Sequence, residues 1–328
     1  MITNINEFRN TRENTNKIII PQEQPISRII TRENTFSNLG TQTIGATSVE
    51  EALNIGGLNY EVHKQPIFLA DGTIINGQTA TVRYTDNHVY GIVSDKYQIV
   101  QNRDAFGFID EMSDDIKFEK IGETQTGMIY LIASMEKMNI LGDSYQPYLI
   151  FRNSHNGRFQ LQATICPLRI VCQNQFNVAF RESPNTITIR HSSMAEIRLQ
   201  EATRVLKGTA EYMKELNKQA EFWATQKVSN QQIVQIIDEL FPLQQDMKDF
   251  QIQRVENNKA QFIKAYKADD NGNFKNSMWG LINAYSDYIT HKEPNRKTST
   301  AKENQFVAVT FDPTLMSHFI QLISRIAA

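Results

Sequence analysis

The amino-acid sequence predicts an α+β fold: a curled antiparallel β-sheet with packed helices, followed by a helical C-terminal part containing a long helical hairpin. Three observations predict it. Between Leu58 and about residue 190, short segments rich in β-branched and aromatic residues are separated by Gly, Asn and Asp at the regular spacing of an antiparallel meander. From Glu196 the stripe Leu199, Ala202, Leu206, Thr209, Met213, Leu216, Ala220 and Trp223 steps by three and four, as in a helix seated in a helical groove. Residues 1–46 sustain neither period. Three regions follow: a polar arm at 1–46, a β-rich core at 47–195, and a helical region at 196–328 whose hairpin occupies 196–241.

The arm is rich in Asn, Thr, Gln and Arg, and repeats Thr11-Arg-Glu-Asn-Thr15 as Thr31-Arg-Glu-Asn-Thr35 beside isoleucine patches. It reads as a flexible tail, or as two short strands that dock on a neighbouring subunit. Ser48-Val-Glu-Glu51 is a capping box that opens a short helix, and Gly56-Gly57 closes it. Tyr60–Ile67, Thr79–Tyr84 and His88–Val93 read as strands joined by turns at Asp71-Gly72 and Asp86-Asn87. Tyr97–Val100 is expected to extend the sheet, and Asn102 to cap a helix over Arg103–Met112. Strands are predicted over Lys117–Ile121, Met128–Met135, Tyr148–Arg152, Phe159–Ile165 and Thr186–Ile189.

Beyond the long helix, Ser229 caps a second one whose Ile233, Ile236, Ile237 and Leu240 can fill the partner stripe; Pro242 stops it. An intermolecular coiled coil is the alternative to this hairpin. Further helices are predicted over Asn257–Lys267, Ser277–His291 and Pro313–Ala328, the last capped by Asp312, with a basic loop at Pro294–Thr300.

Composition bounds the function. The chain has 328 residues, 40% hydrophobic and 21% charged, enough for one to two ordinary globular domains. A net charge of -2 excludes a uniformly basic protein that coats DNA indiscriminately. Two cysteines make no disulfide framework, and no apolar run is long enough to span a bilayer, so a cytoplasmic protein without membrane contact is expected. Catalytic patterns are missing: Gly122–Gly127 is not followed by the Lys of a phosphate-binding loop, and no Gly-x-Ser-x-Gly elbow occurs. Cys166 and Cys172 with His155 and His191 could be drawn as a zinc site, but their spacing matches no metal motif; buried thiols packing as small hydrophobes fit as well. We therefore expect no catalysis, no cofactor and no metal.

One local bias remains. Residues 151–207 hold eight basic side chains against three acidic ones, with Phe151, Phe159, Phe176 and Phe180 interleaved. That composition suits a groove that stacks bases and tracks phosphates. The expected nucleic-acid-binding residues are Arg152, Arg158, Arg169, Arg190, His191 and Arg198. Arg190-His191-Ser192-Ser193 precedes the long helix and could hold a phosphate at its N-terminus, or could simply cap it.

These stretches also carry a resemblance. Cys166-Pro-Leu-Arg-Ile-Val-Cys-Gln-Asn174 followed by Ile189-Arg-His-Ser-Ser-Met-Ala-Glu-Ile-Arg-Leu199 resembles the signature of a phage/plasmid-like family catalogued as domain of unknown function 932. Gly57–Val62, Gly91–Asn102, Leu149–Gly157 and Trp279–Tyr285 with His291 are similar to its other segments, over residues 48–320. Gln175 stands where the family more often has Thr, and Asn156 where it often has Asp. The resemblance implies a mobile-element context, where such genes accompany DNA replication and recombination, and no reaction. Two functions are expected to compete. One is an accessory of DNA metabolism that binds single-stranded nucleic acid, assists annealing or recombination and assembles as a homo-oligomer. The other is a protein-binding module that inhibits or scaffolds a host complex, as a phage counter-defence factor would.

Overall fold

A computed structural model describes residues 39–327 of the chain, apart from 113, 170–172, 190–193 and 295–297. The expected α+β architecture is present: two antiparallel sheets precede a helical C-terminal region. The first short strand, β1 (Thr41–Gln42), lies at the edge of the larger sheet, pairing Thr41 with Ile121. The end of the predicted arm is thus part of the sheet. Helix α1 (Val49–Ile55) begins at Ser48, whose Oγ accepts from the Glu51 N–H at 3.3 Å. Its free N-terminus is also held by tertiary structure, because Asp110 accepts from the Val49 N–H at 2.7 Å.

Strands β2 (Val62–Phe68), β3 (Ile74–Arg83) and β4 (Val89–Ser94) form a separate three-stranded meander. Residues 97–100, expected to extend it, are not a strand. Asn102 does not cap helix α2 (Asn102–Phe106); Gln101 precedes it, and the Asn102 side chain turns inward to donate to the Leu58 carbonyl at 3.0 Å. The predicted helix to Met112 tightens into a 3₁₀ turn over Gly107–Met112.

The larger, open sheet runs β1-β5-β6-β8-β9-β10 through β5 (Lys117–Glu123), β6 (Met128–Ser134), β8 (Asp143–Ser154), β9 (Gln162–Arg169) and β10 (Asn174–Gln175). Short strands β7 (Met138–Ile140) and β11 (Thr186–Thr188) add to β8 and β9. Strand β9 runs through Pro167 without a break, although a proline argues against a regular strand there. The reason is its partner: Pro167 lies opposite Pro147. Two prolines can face each other where an antiparallel pair exchanges no hydrogen bonds.

Helix α3 (Ala195–Thr225) has Met194 at its N-cap; Ser192 and Ser193, the expected caps, lie outside the described residues. A short connection, 226–229, leads to α4 (Asn230–Leu240), opened by the predicted Ser229 cap, which forms a capping box with Gln232. The two helices find their main partners elsewhere. Helix α3 packs on the Gly107–Met112 turn and on α6 (Met278–His291), while α4 packs on α8 (Thr314–Ala327). Helix α5 (Asp249–Tyr266) starts eight residues before the predicted position and packs on α6. Helix α7 (Ala301–Phe311) was not foreseen; its Phe306 lies against Tyr130 of β6, with ring centroids 5.1 Å apart. Nearly all of α6 is buried, so it is the axis of the helical region. Among the described residues no single helix is long and apolar enough to cross a membrane.

The mid-chain stretch after β9 is a structural clasp between sheet and helices. The Gln175 N–H donates to Thr290 Oγ1 (3.2 Å), its carbonyl accepts from Ser286 Oγ (2.7 Å), and its Oε1 accepts from Thr310 Oγ1 (3.2 Å). One residue thereby satisfies its buried polar groups on α6 and α7.

Candidate functional site

Among the described residues, the predicted Arg152 and Arg169 do not share a surface. Strands β8 and β9 pair in one unbroken register, Tyr145 opposite Arg169 and Arg152 opposite Gln162. Residues 145 and 152 differ by an odd number, so Arg169 and Arg152 stand on opposite faces of the sheet. Arg169 is 1% exposed and bound to Asp143 at 2.6 Å, its charge compensated inside the protein. Arg152 is half-buried; it bonds to the Gln162 side-chain oxygen, and its guanidinium lies 4.8 Å from the Phe311 ring centre and 5.2 Å from that of Phe159. Burial lowers its pKa. Arg198 sits beside the Gly107–Met112 turn; burial raises the pKa of the nearby Asp110, and the Arg198 charge partly opposes that rise. Arg158 is exposed on the turn between β8 and β9. Arg190 and His191 lie outside the described residues, as does Cys172. Phe151 and Phe176 are core residues, leaving Phe159 and Phe180 partly exposed. A shared phosphate-tracking surface through Arg152, Arg169 and Arg198 is therefore not formed.

His155 and Cys166 are also structural. Cys166 is fully buried, which pushes its thiol pKa up to about 12. Among the described residues no group of three His, Cys, Asp or Glu side chains could hold a metal ion.

What the structure does bring together is a buried polar cluster that fastens the β2–β4 meander to the larger sheet. Tyr90 donates to Tyr60 Oη at 2.5 Å, and Tyr60 donates to Glu123 Oε2 at 3.1 Å. Arg83 lies 4.9 Å from the Tyr60 ring centre, reaches Glu123 at 3.3 Å and holds Asp86 through two 2.8 Å bonds. Burial, then the Glu123 charge, pushes the Tyr60 pKa up to about 12, so this phenol keeps its proton and can donate. His155 packs against both tyrosine rings at 6.2 and 5.2 Å between centroids. Its Nε2 meets Asn102 Oδ1 at 3.1 Å, an oxygen that also accepts from Asn153. Segments 57–62, 91–102 and 149–157 of the sequence meet here, far apart in the chain.

The clasp positions the candidate site, which is the outer face of the meander. Thr79, Thr81 and Val93 turn inward and are buried. Register puts His63, Val82 and Val89 in one row on the other face, where Val82 is nonetheless buried, and Gln65, Ala80 and Ile92 in the next. Tyr84 continues the same face, its ring against His63 at 5.8 Å. Tyr84 is 75% exposed, Ile92 59% and Val89 56%. At the hairpin tip Phe68 and Ile74, a cross-strand pair, are exposed with Leu69. An apolar cluster of this kind on a sheet marks an interaction surface. The two edges differ as well: β2 carries Lys64 and Pro66, which discourage strand addition, whereas β4 (Val-Tyr-Gly-Ile-Val-Ser) carries no charge. Only a faint signal in the sequence pointed here, the apolar residues at both positions of the alternation in His88–Val93.

Comparison with known proteins adds one finding. A family model described as "Domain of unknown function (DUF932)" matches residues 89–309, a narrower span than the 48–320 suggested by the motifs. No curated protein and no solved structure matches the chain.

Proposed function

Starting from the fact that this chain belongs to the DUF932 family, which is defined without an activity, we propose that it is a non-catalytic protein-binding module. In this reading it serves a phage or plasmid in the cytoplasm of the host and inhibits or scaffolds a host complex. The recognition surface is the outer face of the β2–β4 meander, where a partner's extended segment adds to β4 and seats its side chains on Val89, Ile92 and Tyr84. The observation that carries the reading is the charge-free edge of β4 beside that exposed apolar row. Val89→Lys with Ile92→Lys should leave the melting temperature within a few degrees of wild type, because both side chains are exposed. The same variant should abolish a photo-crosslink formed in host cells from Tyr84 replaced by a photoreactive residue. A crosslink of equal yield in the lysine variant, or none in wild type, would sink the proposal.

The second reading is an accessory of DNA metabolism that binds single-stranded nucleic acid, assisting recombination or annealing as a homo-oligomer. The exposed Arg158 and Arg181, set in the basic mid-chain stretch, favour it. Titration with short single-stranded and duplex oligonucleotides tests this reading: affinity that falls steeply with salt supports it, whereas the crosslink at Tyr84 tests the first.

A further inference from the structure

A groove of about 410 Å³ opens between the loop at 178–182, the C-terminal half of α3 and α8. Its volume lies within the range of small-ligand sites, roughly 300–1,000 Å³. The apolar side is the end of an aromatic column. Phe176 meets Trp279 at 5.5 Å between centroids, Trp279 stacks on Trp223 at 6.1 Å and 14°, and Trp223 stacks on Phe180 at 6.4 Å and 29°. Phe176 and Trp279 are fully buried and Trp223 nearly so; Phe180 is half-buried and lines the groove. Phe180 also packs on the buried Tyr212, at 5.4 Å and 41°, so only the part of its ring that lines the groove is open to a further planar group. Around it stand Gln219, Gln321 and the Glu215 carboxylate, which already accepts from Gln219 at 2.7 Å. Arg181 and Glu182 sit at the mouth, both exposed. Glu215 also pairs with Lys218 at 3.7 Å, so what the groove offers an occupant is the remaining acceptor capacity of this carboxylate and of the two amides. A heteroaromatic ring with amino donors on its edge satisfies them, and an attached anion meets Arg181.

We propose that this groove binds a nucleobase that carries phosphate, either as a free nucleotide or as one base of a single strand. The base packs on the part of the Phe180 ring open to the groove, its amino edge donates to Glu215 and the glutamine oxygens, and Arg181 holds the phosphate. The assignment is independent of partner-protein binding at the meander.

The experiment follows the emission of the two tryptophans, Trp223 and Trp279, in the full-length chain during titration with the four mononucleotides, ribose 5-phosphate and a single-stranded ten-nucleotide oligomer. A mononucleotide or the oligomer should give a saturable change and ribose 5-phosphate none. Phe180→Leu should weaken binding about tenfold or more, the scale of one lost base stack. Arg181→Ala, at an exposed position with no role in folding, should weaken it separately. Tighter binding of the oligomer, relieved by salt, identifies a single strand as the source; equal affinity identifies the free nucleotide. No saturable change with any base-bearing ligand at millimolar concentration, an equal response to ribose 5-phosphate, or affinity indifferent to both substitutions would overturn the proposal.

Discussion

His155 has a buried ring whose Nδ1 meets no partner among the described residues, and burial lowers its pKa from 6.5 to about 4. A depressed histidine pKa means that the unfolded chain binds the extra proton first. Stability is then unaffected above about pH 6.5, declines as pH falls, and levels off below about pH 4 after a loss on the order of 3 kcal/mol. Urea denaturation of wild type between pH 7 and 4 should show that decline, and His155→Gln should remove most of it. Identical pH profiles would mean that His155 does not carry the effect. The sign of Arg169 and its neighbours in sequence were readable, but its partner Asp143 lies 26 residues earlier and is reached only across the β8–β9 pair. Local charge counts register how many cations a stretch holds, not which carboxylates the fold sets against them.

At the scale of the element, α3 shows how far periodicity reaches. The stripe from Ala202 to Trp223 does face the core, but Leu199 is exposed and Leu206 lies at the margin. Val205 and Tyr212, which the three-four count passed over, are fully buried, and Tyr212 donates to the Val178 carbonyl at 2.9 Å. The helix packs on several elements at once, so its buried face is wider than a two-helix seam. Val205→Asp should cost several kcal/mol, since its carboxylate would be buried without a partner, and Leu206→Asp clearly less. Thermal melts of the two variants check the order; equal losses would return Leu206 to the centre of the interface. Helix α7 escaped notice for a different reason. Ala-Lys-Glu-Asn-Gln-Phe-Val-Ala-Val-Thr-Phe has no clean apolar stripe and carries β-branched residues, and it becomes a helix by covering Tyr130 and Arg152 on the sheet.

For the whole molecule, the point where the chain enters the larger sheet can be tested directly. Strand β1 pairs with β5, and the Thr43 N–H donates to the Glu119 carbonyl at 3.0 Å. A chain shortened by 45 residues should be less stable than one shortened by 38 by about 1–2 kcal/mol, the worth of a few net hydrogen bonds. Equal urea midpoints would show that β1 adds nothing. The sequence by itself determined the α+β class, the meander, the Ser48 and Ser229 caps and the long helix, because period, cap chemistry and turn residues act over a few neighbouring positions. Only the tertiary structure decided where the charges went. A face of a sheet is set by strand register, and register joins residues tens of positions apart; that is what separated Arg152 from Arg169, buried one of them against Asp143, and left Val89, Ile92 and Tyr84 together in the open.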